Sequence, residues 1–276
     1  MGIWKARKAA GVLASVFLAA GGARAEWAGL RPANQSGPSE AYRLNCGAEN
    51  FDFTDGGGNW WMKDEPFTAL YRWGFTGGQA GGQSTADIQG TTEDAIYQTH
   101  HYGPAGMAYR LEVPNGRYTV KLHFAETYWT QPGQRVFDVQ VENQLIQNVD
   151  IVARAPGQNR AYVMTFTADV TDEALDVSFP RAVVDMAMIS GIEAQVVSVS
   201  DDNFLGFVER KLFWLFWNET NPLTGLVSDR VDNWRPLTGG AASIASTGFS
   251  LSALIESEIL PSLMSMIFAF TLSPTL

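Results

Sequence analysis

The sequence predicts an all-β fold, an antiparallel β-sandwich of jelly-roll type, followed by a short helical segment. Three observations carry this. Apolar residues recur at every second position in successive runs from about Tyr42 to Val197, turn sequences separate those runs, and no long amphipathic helix interrupts them. After about Ser200 the apolar spacing changes to three and four.

The N-terminus carries Lys5, Arg7 and Lys8 ahead of the apolar run Ala9 to Ala20, and Ala23-Arg24-Ala25 closes it with small residues. This pattern predicts an export signal over residues 1–25, cleaved after Ala25, and a secreted or periplasmic protein. An uncleaved membrane anchor is the competing reading, although the run is short for a relaxed span. Residues 26–39 are rich in Pro, Gly, Ser and Asn without periodicity and read as an exposed linker.

The sandwich is expected over residues 40–197. Tyr118, Val120, Leu122 and Phe124 alternate with polar residues, and Pro114-Asn115-Gly116 reads as a tight turn joining this strand to Met107–Val113 in a hairpin. Phe137, Val139 and Val141 follow the same rule. So do Tyr162, Met164, Phe166, Ala168 and Val170, and then Leu175, Val177 and Phe179.

Asp201 or Asp202 is positioned to cap a helix that buries Phe204, Phe207, Val208, Leu212, Leu215 and Phe216, with Asn221-Pro222 ending it. Phe213, Trp214 and Trp217 make it apolar on further sides, so it needs neighbours on more than one face. The apolar tail Leu263 to Leu272 is too short to cross a bilayer, so no stable membrane span is expected after signal cleavage.

The formal net charge is −10, and removing the signal takes four of the 19 basic residues and none of the 29 acids, leaving −14. Such a surface repels phosphate backbones, which argues against nucleic acid and leaves neutral sugars open. Cys46 is the only cysteine, so no intramolecular disulfide is available; its apolar flanks predict a buried small hydrophobe rather than a nucleophile.

Gly56-Gly57-Gly58 and Gly77-Gly78-Gln79-Ala80-Gly81-Gly82 lack the Lys-Ser/Thr of a phosphate loop and the spacing of a dinucleotide site, so they read as flexible loops at one end of the sandwich. His100 and His101 are adjacent and should face opposite ways in extended chain, which does not favour a zinc site. No cofactor is expected. Tyr97–Tyr102 and Phe124–Trp129 each end an alternating run with aromatics where a loop should begin. Aromatic planes with a carboxylate suit sugar rings, whose C–H faces stack and whose hydroxyls hydrogen-bond; the same aromatics would equally serve a core.

The segments RLNCGAENFDFTDGGGNWW, EDAIYQTHHYG, NGRYTVKLHFAETYW, QRVFDVQVENQLI and VVDMAMISGIEA resemble successive blocks of the malectin family, in order, across roughly residues 40–197. The resemblance implies a malectin-like sandwich that binds an oligosaccharide or polysaccharide containing glucose. Its sugar-binding aromatics fall on Tyr102, Tyr128 and Trp129, where Trp129 replaces the family's Phe, and its binding aspartate falls on Asp185. A further family tyrosine has no clear counterpart in GGQAGGQSTAD.

Residues 203 to about 254 are similar to the opening of bacterial glucoamylase-like proteins, whose folds are (α/α) barrels, so residues 203–276 are expected to be the truncated start of such a domain. Glycoside hydrolysis needs two opposed carboxylates. Glu209, Glu219 and Asp229 are the acids available, but a barrel's acids cannot be placed without the barrel, so no catalytic residue is assigned. The expected function is therefore non-catalytic sugar binding. The alternatives are a truncated or frameshifted glycoside hydrolase with an N-terminal binding module, and a module for protein partners.

Overall fold

The computed structural model describes residues 41–218 except 49–51, 69–71 and 83, with side chains as far as Lys211. The expected signal (1–25), the linker (26–39) and the region after Asn218, with Glu219, Asp229 and the apolar tail, lie outside the described residues, as do the side chains of Phe213, Trp214 and Trp217.

Strands run in the order β1 (Ala41–Asn45), β2 (Phe53–Thr54), β3 (Trp60–Trp61), β4 (Trp73–Thr76), β5 (Gln79–Gly81), β6 (His100–Gly103), β7 (Met107–Glu112) and β8 (Gly116–Ala125). They continue as β9 (Val136–Val141), β10 (Gln144–Val149), β11 (Ala161–Val170), β12 (Ala174–Phe179), β13 (Ala182–Val184), β14 (Ala187–Ile189) and β15 (Gly191–Ser198). Three helices accompany them: α1 (Asp94–Tyr97), α2 (Ile151–Arg154) and α3 (Asp201–Asn218). The fold is all-β, as its alternating sequence predicts.

Two antiparallel sheets face each other. One is ordered β1-β15-β8-β11; the other is β10-β9-β12-β7-β4, with β13 added on β9. The alternating residues fill the space between: Tyr118, Val120, Leu122 and Phe124 of β8, Phe137, Val139 and Val141 of β9, and Leu175, Val177 and Phe179 of β12 are all fully buried. Phe124 meets Phe137 of the opposite sheet with ring centroids 6.2 Å apart, and Phe137 meets Phe179 at 5.9 Å. Fully burying each such ring contributes roughly 2–3 kcal/mol, so this layer dominates stability.

The expected hairpin between Met107–Val113 and the β8 strand does not form. β7 pairs with β12 and β4, whereas β8 pairs with β11 and β15, so Pro114-Asn115-Gly116 carries the chain from one sheet to the other. Both strands bury apolar faces, and they satisfy them by facing each other across the core rather than by lying side by side. The crossing is pinned by the Tyr118 hydroxyl, which donates to Pro114 O at 2.7 Å.

A three-stranded sheet, β14-β6-β5, and the short β2-β3 pair lie beside the sandwich. A smaller core of Trp61, Ile88, Ile96, Tyr97 and Ala125, with Phe53 and Ala161 against it, fills the space near the ends of β8 and β11. The glycine-rich stretch is therefore not simply a loop: Gln79–Gly81 is a strand paired with β6.

The helix begins one residue before the expected cap. Ser200 accepts through Oγ from the Asn203 amide at 3.2 Å and through its carbonyl from the Phe204 amide at 2.9 Å, leaving Asp201 and Asp202 in the first turn. The sheets belong to one compact unit, Ala28–Phe207. No helix among the described residues is long and apolar enough to cross a membrane.

Candidate carbohydrate-binding site

At the end of β8 the chain must leave the sheet, and Glu126 governs how. This carboxylate is 1% exposed. Its Oε1 accepts the amides of Tyr128 at 2.9 Å and Trp129 at 3.1 Å, and its Oε2 accepts from Arg135 Nε at 2.7 Å. Gln158 Nε2 donates to the carbonyls of Thr127 at 2.7 Å and Tyr128 at 3.3 Å, so the turn is held from both sides. The outcome is an aromatic corner. The Tyr128 ring is 71% exposed and stands at 86° to the Trp129 ring, centroids 4.7 Å apart.

Asp185 connects β13 to β14 with a left-handed backbone, φ +57°, which aspartate tolerates better than most residues. Its Oδ2 accepts from the Trp129 indole Nε1 at 2.7 Å and lies 3.2 Å from Arg135 Nη1. Arg135 Nη1 also donates to Met186 O at 2.8 Å. One guanidinium thus ties the loop after β8 to the β13–β14 connection through charge-assisted bonds. Among the described residues Asp185 Oδ1 takes no hydrogen bond, and the side chain is 33% exposed, so this oxygen is available to a hydroxyl.

Tyr102 lies on β6, half-buried, opposite Met188 of β14. Gln79 Nε2 donates to its hydroxyl. Gly81 of β5 makes room for it, since a Cβ there would lie 2.3 Å from Tyr102 Cε1; the next residue, Gly82, makes room for His100, whose Cε1 a Cβ would meet at 2.2 Å. The His100 ring packs on Tyr102 with centroids 5.7 Å apart. Burial holds His100 down at about 4, aided by the positive charge of Arg135 and opposed by Glu126.

Of the residues expected from sequence, Trp129 and Asp185 are in direct contact, and Tyr128 packs edge-on against Trp129. Tyr102 lies opposite Met188, three positions after Asp185, and packs against His100. Glu126, Arg135 and Gln158, which organise the site, were not anticipated. Glu126 stands inside the FAETYW block and Arg135 inside QRVFDV, so an acid at a strand end shortly before a lone arginine was the available signal.

Other candidate groups lie elsewhere. Cys46 is fully buried, and burial followed by the Asp64 charge pushes its thiol well above its ordinary value, which makes it inert. His101 faces away from His100: its Nδ1 is 2.7 Å from Asp64 Oδ2 and its Nε2 is 3.0 Å from Gly77 O, with the Tyr109 hydroxyl also donating to Asp64 at 3.0 Å. Glu209 is an exposed residue of α3.

The profile of the malectin domain matches residues 40–196. The chain is 37% identical over 70 residues to malectin of Mus musculus, covering 24% of this chain and 24% of that protein. It is 36% identical over 90 residues to a probable LRR receptor-like serine/threonine-protein kinase of Arabidopsis thaliana, covering 30% of this chain and 9% of that one. The β-glucuronidase of Bacteroides uniformis superposes with a TM-score of 0.50 at 22% identity over 57% of this chain and 18% of its own, a likeness of fold alone. The chain thus spans less than a quarter of the length of each of these relatives. With more than half of its residues inside the profile match, the chain belongs to the malectin domain family.

Proposed function

We propose that this chain binds a neutral, glucose-containing oligosaccharide without catalysis, through Tyr102, Tyr128, Trp129 and Asp185. Membership of the malectin domain family supports carbohydrate binding in general. The observation that carries the finer reading is the joined pair Trp129–Asp185 beside an exposed Tyr128 ring. Tyr128 offers a flat apolar face to a pyranose ring, and Asp185 Oδ1 accepts a hydroxyl while Oδ2 stays anchored. This division of labour needs no metal and no general acid. Export to the periplasm or the exterior, where such glycans are met, is part of the same proposal.

Calorimetry against a panel of glucose disaccharides tests it, using wild type, Tyr128→Ala, Trp129→Ala and Asp185→Asn with melting curves as the fold control. Binding should fall in each variant while the melts stay close to wild type. Affinity should be nearly independent of salt, because a neutral sugar has no charge to screen. Binding that survives all three substitutions would place the site elsewhere on the sandwich. Turnover of a glucan that vanished in Glu209→Gln would replace the lectin reading with a hydrolase.

A further inference from the structure

We propose that the arm Ala182–Met186 forms an apolar second wall of this site, so that the chain prefers glycosides carrying a non-polar aglycone. The inference rests on the sugar-binding reading and names the ligand class more narrowly.

Seven large apolar side chains are exposed among the described residues, and four of them, Tyr128, Val183, Val184 and Met186, lie on the two segments that the Trp129–Asp185 bond joins. The other three, Leu145, Val163 and Val197, lie on separate strands. Exposed apolar groups gathered around a polar anchor mark a place where something binds. Val183, Val184 and Met186 are each 42–44% exposed.

The arm's exposure does not come from a loose backbone. Val184 is paired opposite Val136 of β9, and Arg135 holds the Met186 carbonyl. Between them Asp185, turned left-handed, presents its free oxygen. The chain neighbours of Asp185 on either side, Val184 and Met186, are exposed and offer no side-chain hydrogen bond. A further sugar hydroxyl set against them would be stripped of water without compensation, whereas an alkyl or aryl group loses nothing and gains burial. The chain's net charge of −10 adds that the aglycone should not be anionic.

The test is calorimetry of the full chain with methyl β-maltoside and hexyl β-maltoside, both below micelle-forming concentration. Wild type should bind the hexyl glycoside about tenfold or more tightly than the methyl one. Met186→Gln and Val184→Thr, made singly so that either can serve if the other folds poorly, should each reduce that gain and leave methyl maltoside binding unchanged. Equal affinities for the two glycosides, or a gain that persists in both variants, overturns the inference alone. No binding of either glycoside overturns the sugar-binding reading with it. A wild-type dimer in sedimentation that Met186→Gln dissolves would assign the wall to a second copy of the chain and also overturn the proposal.

Discussion

The indole of Trp129 donates to Asp185 Oδ2 at 2.7 Å, joining a residue in the loop after β8 to one 56 positions later in a turn between two other strands. The bond fixes which carboxylate oxygen is left for a ligand. Asp185→Asn keeps the shape but loses the charge, and hydrogen bonds to charged groups are worth roughly 1.5–3 kcal/mol. Sugar affinity should therefore fall about tenfold or more. Trp129→Phe keeps a ring and removes the donor, so its loss should be smaller. Calorimetry that ranks Trp129→Phe as the worse of the two would mean that the indole proton, not the carboxylate, meets the sugar.

Glu126 and Arg135 are a buried pair, 1% and 9% exposed at their side chains, and Glu126 also holds two loop amides. Removing one partner leaves the other charge uncompensated, which typically costs about 3–5 kcal/mol. Glu126→Ala should cost at least as much as Arg135→Ala, because it also orphans the amides of Tyr128 and Trp129. Urea denaturation of both variants measures this. A loss below about 1 kcal/mol in either would mean that water replaces the missing partner and that the corner is less closed than its geometry.

Strand faces were legible in the sequence, strand partners were not. The alternation of Tyr118, Val120, Leu122 and Phe124 fixes which side is buried, because side chains alternate at a period of two wherever a strand pairs. It says nothing about the neighbour, and Pro114-Asn115-Gly116 can reverse a chain within a sheet or arch it between sheets. The alternation did not single out the candidate aromatics, which could equally have served a core; the malectin resemblance pointed to Tyr102, Tyr128 and Trp129, and of these the structure leaves Tyr128 the most open. Glu126 and Arg135 were passed over although the acid at the strand end stands only nine positions before the arginine; what no local pattern reports is the contact between positions 135 and 185. The glycines were misjudged through lack of their counterparts, since only the rings of His100 and Tyr102 explain why Gly81 and Gly82 have no side chain.

Gly81 gives the sharpest separation of binding from folding. Its added methyl would meet the Tyr102 ring at 2.3 Å, and that ring is only half-buried, so it can swing outward. Gly81→Ala should weaken sugar binding several-fold with a stability loss of about 1 kcal/mol, in the lower part of the range for overpacking. At Gly82 the clash is with buried His100 and φ is +60°, so Gly82→Ala should cost more stability. Thermal melts beside calorimetry decide it; unchanged sugar affinity in Gly81→Ala would remove Tyr102 from the site.

His100 and His123 should make the fold sensitive to mild acid. Burial holds both down at about 4. The His123 ring shares a hydrogen bond at Nδ1 with the Tyr97 hydroxyl, 2.9 Å away, and packs against Trp61 with centroids 5.5 Å apart, an environment suited to the neutral form. In the unfolded chain each titrates near 6.5. Below that value the unfolded state takes up protons that the fold refuses, so stability falls as pH drops from about 6.5 to about 4 and is unaffected by these groups above 6.5. At 1.36 kcal/mol per unit of difference, the loss approaches about 3 kcal/mol for each histidine at the acid end. His123→Gln keeps an acceptor for Tyr97 and removes the titration, so its stability should fall less steeply than wild type over this window, the difference between the two proteins isolating His123 from the carboxylates. Urea denaturation of both at pH 7, 6, 5 and 4.5 reads that difference directly, and parallel curves would show that His123 can take a proton without leaving its site.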